Sequence, residues 1–148
     1  MAIRESREVV IEAPVDEILP IMLDLEALPE WSAAHRSSEV LERDEQGRPI
    51  RSRATVTTVG ITDVQEIALT YHDDGYGWTL VSSTYQRSQE ARYRLIPEGD
   101  RTRVRFEVTV DPVMPMPGFM LRRAAKGVLD TATVGLRKRV LEVRGRAN

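Results

Sequence analysis

The sequence predicts an α+β fold: a bent antiparallel sheet of seven strands wrapped around one long C-terminal helix, with two short helices after the first strand. Three observations carry this. From Ser37 to Val110 the apolar residues recur with a period of two, in six runs separated by turn chemistry. From Phe119 to Arg144 the period turns helical and stays so for a length of roughly 40 Å at 1.5 Å per residue. Finally, a seven-stranded sheet with one apolar face needs a cover, and this helix is the one element long enough to provide it.

Taken in order, Ser6 to Glu12 is a short β-rich run with Val9 and Ile11 on one face, ended by Ala13-Pro14. Pro14 suits the first turn of a helix that opens with Asp16 and Glu17 and carries Ile18, Ile21, Met22 and Leu25 at helical spacing. Pro20 removes a backbone donor inside that segment, so a kink or a late start is expected there. A second helical piece covers Leu25 to Ser32. The six strands follow at Ser37–Arg43, Ile50–Val59, Thr62–His72, Gly77–Ser83, Arg87–Ile96 and Thr102–Val110. Their breaks are Glu45-Gln46-Gly47-Arg48-Pro49, Gly60, Asp73-Asp74-Gly75, the Ser83 region and Pro97-Glu98-Gly99-Asp100, with Gly75-Tyr76-Gly77 read as turn. Consecutive strands joined by tight turns form an antiparallel meander. A proline-rich connector, Asp111 to Gly118, then leads into the helix. Its core stripe is Leu121, Ala125, Val128, Ala132, Leu136, Val140 and Val143.

With 148 residues the chain fits one domain, residues 1–148. A hydrophobic share of 41% and a charged share of 30% exclude a disordered or fibrous chain. No apolar run approaches the roughly 20 residues of a spanning helix. The first seven residues, Met1 to Arg7, lack the apolar core of a secretory signal, so the cytoplasm is the expected compartment. The absence of cysteine removes disulfides, thiolate catalysis and Cys-based metal sites. A net charge of −2 gives no basis for general attraction to nucleic acid. From Phe119 onward, however, eight Arg and Lys stand against Asp130 and Glu142. That basic helix is a solvated face or a weak docking surface for anionic headgroups or a protein. Oligomeric state is not readable.

A twisted sheet bending around one helix is not filled along its whole length by that helix, which leaves space for large side chains or for a ligand. Several ordered segments then carry a resemblance. They are Val9 to Pro14, Asp24 to Trp31, Glu39 to Pro49, Tyr93 to Pro97, Thr102 to Phe106, and Met116-Pro117-Gly118-Phe119 before the long helix. In this order and spacing the chain resembles the START-related helix-grip superfamily (SRPBCC), in particular the bacterial polyketide cyclase/dehydrase and lipid-transport group. The resemblance spans almost the whole chain and implies an internal hydrophobic cavity used for lipids or polyketide-like molecules. It does not fix an activity.

Strand alternation supplies the expected wall of such a cavity: Val40, Val56, Thr58, Ile67, Leu69, Tyr71, Trp78, Leu80, Ala91, Tyr93, Leu95, Phe106 and Val108. The helix adds Leu121, Ala125, Val128, Ala132 and Leu136. Trp31, Met114, Met116, Phe119 and Met120 read as an entrance gate, because methionines in a proline-rich loop are flexible and polarizable. The same residues equally describe a solid core with an anchored loop.

No catalytic constellation is evident. Tyr93 and Tyr71 are the best inward polar groups, and a phenol there could orient a carbonyl or simply bond a backbone carbonyl. His35 lies near the expected mouth, while His72 points outward in the register that buries Ile67, Leu69 and Tyr71. Two isolated histidines make no metal site, and no cofactor fingerprint is present. The leading expectation is therefore a binder or carrier of a hydrophobic or amphipathic small molecule. A polyketide cyclase or dehydratase comes second, and a protein- or membrane-interaction module third.

Overall fold

The computed structural model describes residues 2–147. Its strands are β1 (Ile3–Ile11), β2 (His35–Arg43), β3 (Pro49–Thr58), β4 (Ile61–His72), β5 (Gly75–Ser82), β6 (Gln86–Glu98) and β7 (Arg101–Pro112). They form one antiparallel sheet in the order β1-β7-β6-β5-β4-β3-β2, so the meander β2 to β7 is closed at its far edge by β1. Three hairpins turn on two residues each: Val59-Gly60, Asp73-Asp74 and Gly99-Asp100. Irregularities in the β2–β3, β4–β5 and β6–β7 ladders supply the bending that lets the sheet curl.

Between β1 and β2 lie α1 (Val15–Leu23), a 3-10 turn (Leu25–Ala27) and the single-turn α2 (Leu28–Trp31). Pro20 does not delay α1, which starts at Val15 and runs through the proline to Leu23. The donor that Pro20 lacks would have met the carbonyl of Asp16, and both residues are exposed, so water can serve that carbonyl. Ile18 and Met22 meanwhile face the core.

The C-terminal helix is not one continuous α-helix. It consists of α3 (Gly118–Asp130), a π-helical turn (Thr131–Gly135) and α4 (Leu136–Ala147). At the π turn the N–H of Leu136 bonds to the carbonyls of Thr131 and Thr133, not to that of Ala132 four residues back. The Ala132 carbonyl instead accepts the Tyr93 hydroxyl at 3.0 Å, and the Thr133 hydroxyl donates to the Leu129 carbonyl at 2.6 Å. The turn also shifts the buried stripe: Leu129 and Thr133 are buried, whereas Val128 is 38% exposed.

Gly75 and Gly77 do not mark a turn, as the sequence suggested; both lie in β5. A Cβ on Gly75 would stand 2.2 Å from the Tyr93 carbonyl oxygen, and one on Gly77 would stand 2.5 Å from that of Ala91. These glycines let β5 and β6 approach, and Tyr76 between them is buried. Tyr76 joins Tyr71, Trp78, Tyr93 and Phe106 in one aromatic cluster, with ring centroids 4.7 Å apart for Tyr93 and Phe106 and 5.4 Å for Tyr76 and Tyr93. Leu69, Leu95, Val104, Leu136, Val140, Ile11 and Ile18 complete this core. The inner face of the sheet is thus packed solid beneath the π turn and α4.

Candidate ligand cavity

Beneath α3 the same inner face is hollow. A cavity of about 120 Å³ lies between α3 and the ends of five strands. One water needs roughly 10–15 Å³ on this measure, so the space suits a small amphiphile better than a lone solvent molecule. Its walls are Ile3 and Glu5 of β1, Val56, Thr58 and Val59 around the β3–β4 turn, and Ile61, Asp63 and Gln65 of β4. Tyr85, Gln86 and Gln89, Val108, Val110 and Pro112, and Met116 close the sides; Leu121, Ala124, Ala125 and Val128 form the roof. The hollow follows from residue size: the paired alanines of α3 project only a Cβ toward the sheet, where α4 brings Leu136 and Val140.

The polar lining groups all come from the sheet and the β5–β6 loop, facing an apolar helical roof. Asp63 is only 6% exposed and accepts the backbone N–H of Thr84 at 3.2 Å, the Gln65 amide at 3.2 Å and the Ser83 hydroxyl. It therefore pins the β5–β6 loop to β4. The Trp78 indole N–H donates to Gln89 Oε1 at 2.8 Å, and Gln89 Nε2 donates in turn to Gln86 Oε1 at 2.8 Å. Because the indole can only donate, it fixes the orientation of both amides and leaves Gln86 Nε2 as a donor. Val59 has φ of +46° in the turn beside them, a left-handed conformation that costs a β-branched residue energy.

Of the residues expected from sequence, Val56, Thr58, Val108, Met116, Leu121, Ala125 and Val128 lie in this wall. Leu69, Tyr93, Phe106 and Ala132 are buried in the packed half, with Tyr71, Trp78 and Ile67 packed against them, because the aromatic rings there fill the space. Ala91, Leu95 and Leu136 share that core, with Val40 packed against it, and Leu80 is half-buried outside the cavity wall. Met114 and Phe119 lie outside the wall: they are 55% and 63% exposed, on the surface connector and in the first turn of α3. Met120 is half-buried beside them, outside the wall. Trp31 lines a separate, polar recess with Glu30, Lys138, Arg139 and Glu142, and its indole nitrogen is buried without a hydrogen-bond partner.

The candidate catalytic groups are also placed away from the cavity wall. The Tyr93 hydroxyl is occupied by Ala132, and burial pushes its pKa well up. The Tyr71 hydroxyl donates to the Pro49 carbonyl at 2.5 Å beneath the Arg48 guanidinium, and burial pushes its pKa to about 12. His35 Nδ1 lies 2.7 Å from the Ser32 hydroxyl, and desolvation lowers its pKa. His72 is exposed at the end of β4.

Sequence reasoning missed Glu5, Asp63, Gln65 and Gln89, yet the signal was present. Period-two alternation puts Asp63 and Gln65 on the face of Ile67, Leu69 and Tyr71, and Gln89 on that of Ala91 and Tyr93. Four of the eight basic residues in the C-terminal helix are paired within the fold: Lys126 with Asp130, Arg137 with Glu12, Arg139 with Glu30 and Arg144 with Glu17. No helix among the described residues is long and apolar enough to cross a membrane.

Comparison with known proteins agrees with this fold. A START superfamily protein from Mycobacterium smegmatis is 27% identical, with a TM-score of 0.86 over 95% of this chain and 98% of that one. A Thermus thermophilus protein is 24% identical, with a TM-score of 0.75 over 97% and 99% of the two chains. The Zhui aromatase/cyclase of a Streptomyces species shares the fold at 11% identity, with a TM-score of 0.76 over 95% and 94%. No curated protein matches the sequence significantly. The model of the family described as polyketide cyclase / dehydrase and lipid transport matches residues 2–141, and the chain, with its seven-stranded sheet and long C-terminal helix, belongs to that family.

Proposed function

We propose that this protein binds and carries a hydrophobic or amphipathic small molecule in the cavity beneath α3. The observation that carries the reading is the contrast within one inner face: a space of about 120 Å³ lies under an apolar roof from α3, and its polar lining groups come from the sheet and the β5–β6 loop. The cover over that space is the loosest part of the helix, since Leu129 is the one residue of α3 that is buried. Family membership supports the same reading. The test is native mass spectrometry of freshly purified protein together with displacement of an apolar fluorescent probe. The expected result is a co-purifying small molecule, or probe binding that Ala125→Trp abolishes without unfolding the chain. A consistently empty protein that leaves the probe free contradicts it.

A second reading, cyclisation or dehydration of a polyketide-like substrate, is favoured by one feature. Asp63 sets a carboxylate in an apolar wall, where a substrate proton could be taken up. In that case Asp63→Asn abolishes turnover while Tyr93→Phe, whose hydroxyl is committed to Ala132, leaves it unchanged.

A further inference from the structure

The polar lining has a sign. Glu5 and Asp63 are carboxylates, and no Arg, Lys or His lies among the described residues that line the cavity. Arg7, the next residue on that face of β1, is paired with Asp130 at the end of α3. Arg122, Arg123 and Lys126 are exposed on the outer side of α3. An anionic head group entering the cavity would meet two like charges with no cation in the wall, in a setting screened less than bulk water. The hydrogen-bonding capacity points the same way. Asp63 and Glu5 offer acceptors, and Gln86 Nε2, oriented through Gln89 by Trp78, offers a donor. A hydroxyl satisfies both kinds of group at once, because it donates to a carboxylate and accepts from the amide. A carboxylate head can only accept: it takes the amide's donor but offers none to Glu5, while Asp63 already holds the donors of Gln65, Ser83 and Thr84.

We propose, on the basis of the carrier reading above, that the cavity selects uncharged amphiphiles bearing a hydroxyl or phenol and rejects anionic ones such as fatty-acid carboxylates. Glu5 and Asp63 are the residues that set this selectivity.

The experiment is titration calorimetry of the full chain at neutral pH with three ligands of equal chain length: decanol, decanoate and decylamine. Decanol is expected to bind roughly tenfold or more tightly than decanoate, a gap of about 1.4 kcal/mol. Decylamine controls for the cost of burying any charge and is expected to bind more tightly than decanoate. Glu5→Gln and Asp63→Asn should each raise decanoate affinity several-fold and narrow the gap. Glu5→Gln carries the test by itself if loss of the Ser83 and Thr84 contacts prevents Asp63→Asn from folding. Decanoate binding as tightly as decanol overturns the selectivity while leaving the carrier reading intact. So does equal weakness of both ions, or a gap unchanged in the folded variants. Failure of all three ligands, with the apolar probe also free, overturns the carrier reading and this inference together.

Discussion

One sheet face and one helical element build two unlike regions. Beneath α4 and the π turn, five aromatic rings share one core with Leu136, Val140, Ile11 and Ile18, and α1 packs against both α4 and β6. Beneath α3 the strands present Val, Thr, Gln and Asp to a pair of alanines, and a cavity remains. The ties differ as well. α4 is stapled by Arg137, Arg139 and Arg144 to glutamates before, within and after α1, while α3 is joined to the sheet by the Arg7–Asp130 pair at its last residue. Exposed pairs of this kind contribute about 0–1 kcal/mol each, so they orient the helix more than they hold it. Packing decides the difference. Large residues on both layers give a solid core, and small residues on one layer give a hollow.

The comparison predicts first that the packed half dominates stability. Phe106→Ala should cost about 3–5 kcal/mol in chemical denaturation, as for a fully buried aromatic ring, whereas Leu121→Ala at the cavity roof should cost well under half of that. Equal losses would show that the hollow half is packed after all. The second prediction reverses the direction of the size change. Ala132→Trp overpacks the solid half and should cost about 1–3 kcal/mol or more, while Ala125→Trp fills open space and should leave the melting temperature nearly unchanged.

The boundary between the regions is the Tyr93 bond to Ala132. Tyr93→Phe should cost about 1–3 kcal/mol, because it leaves a buried carbonyl without its donor, and hydrogen exchange should quicken around residues 131–136. A variant as stable as the parent would show that the π turn needs no such partner.

How far the sequence led follows the same division. Alternation along β7, with Val104, Phe106 and Val108 facing in, fixed the face correctly because strand period is independent of what fills the space behind it. The wall was legible in part: Val56, Thr58, Val108 and Ala125 line it, whereas Tyr93 and Phe106 do not, because the largest apolar residues fill the space behind the sheet. Tyr76 was hidden between two glycines that read as a turn, and the π turn leaves no trace in a helical period. The short helices were legible as a region; the early start of α1 at Val15 was not, because Pro20 is tolerated at a solvent-facing position that packing decides.

Smaller effects sharpen the picture at its edges. Val59→Asn in the Val59-Gly60 turn should gain about 1 kcal/mol, because asparagine adopts the left-handed conformation at lower cost. Thermal melting checks it, and no gain would mean that the valine's contact with the cavity outweighs the strain. His35 should add a pH dependence. Desolvation lowers its folded pKa below the usual value near 6.5, so the unfolded chain takes up the proton more readily. Its contribution is complete above pH 6.5 and is lost as pH falls from there toward the lower folded value. His35→Gln should flatten that limb of the stability profile, and an unaltered limb would assign the dependence to other groups.

The most direct test of the hollow half is hydrogen exchange, read segment by segment, with and without saturating decanol. Exchange in residues 118–130 and in the β3–β4 turn is expected to be fast in the free protein and to slow on ligand addition, while α4 is protected throughout. Protection that is equal in α3 and α4 without ligand, and unmoved by it, would mean that no ligand-binding hollow lies beneath α3.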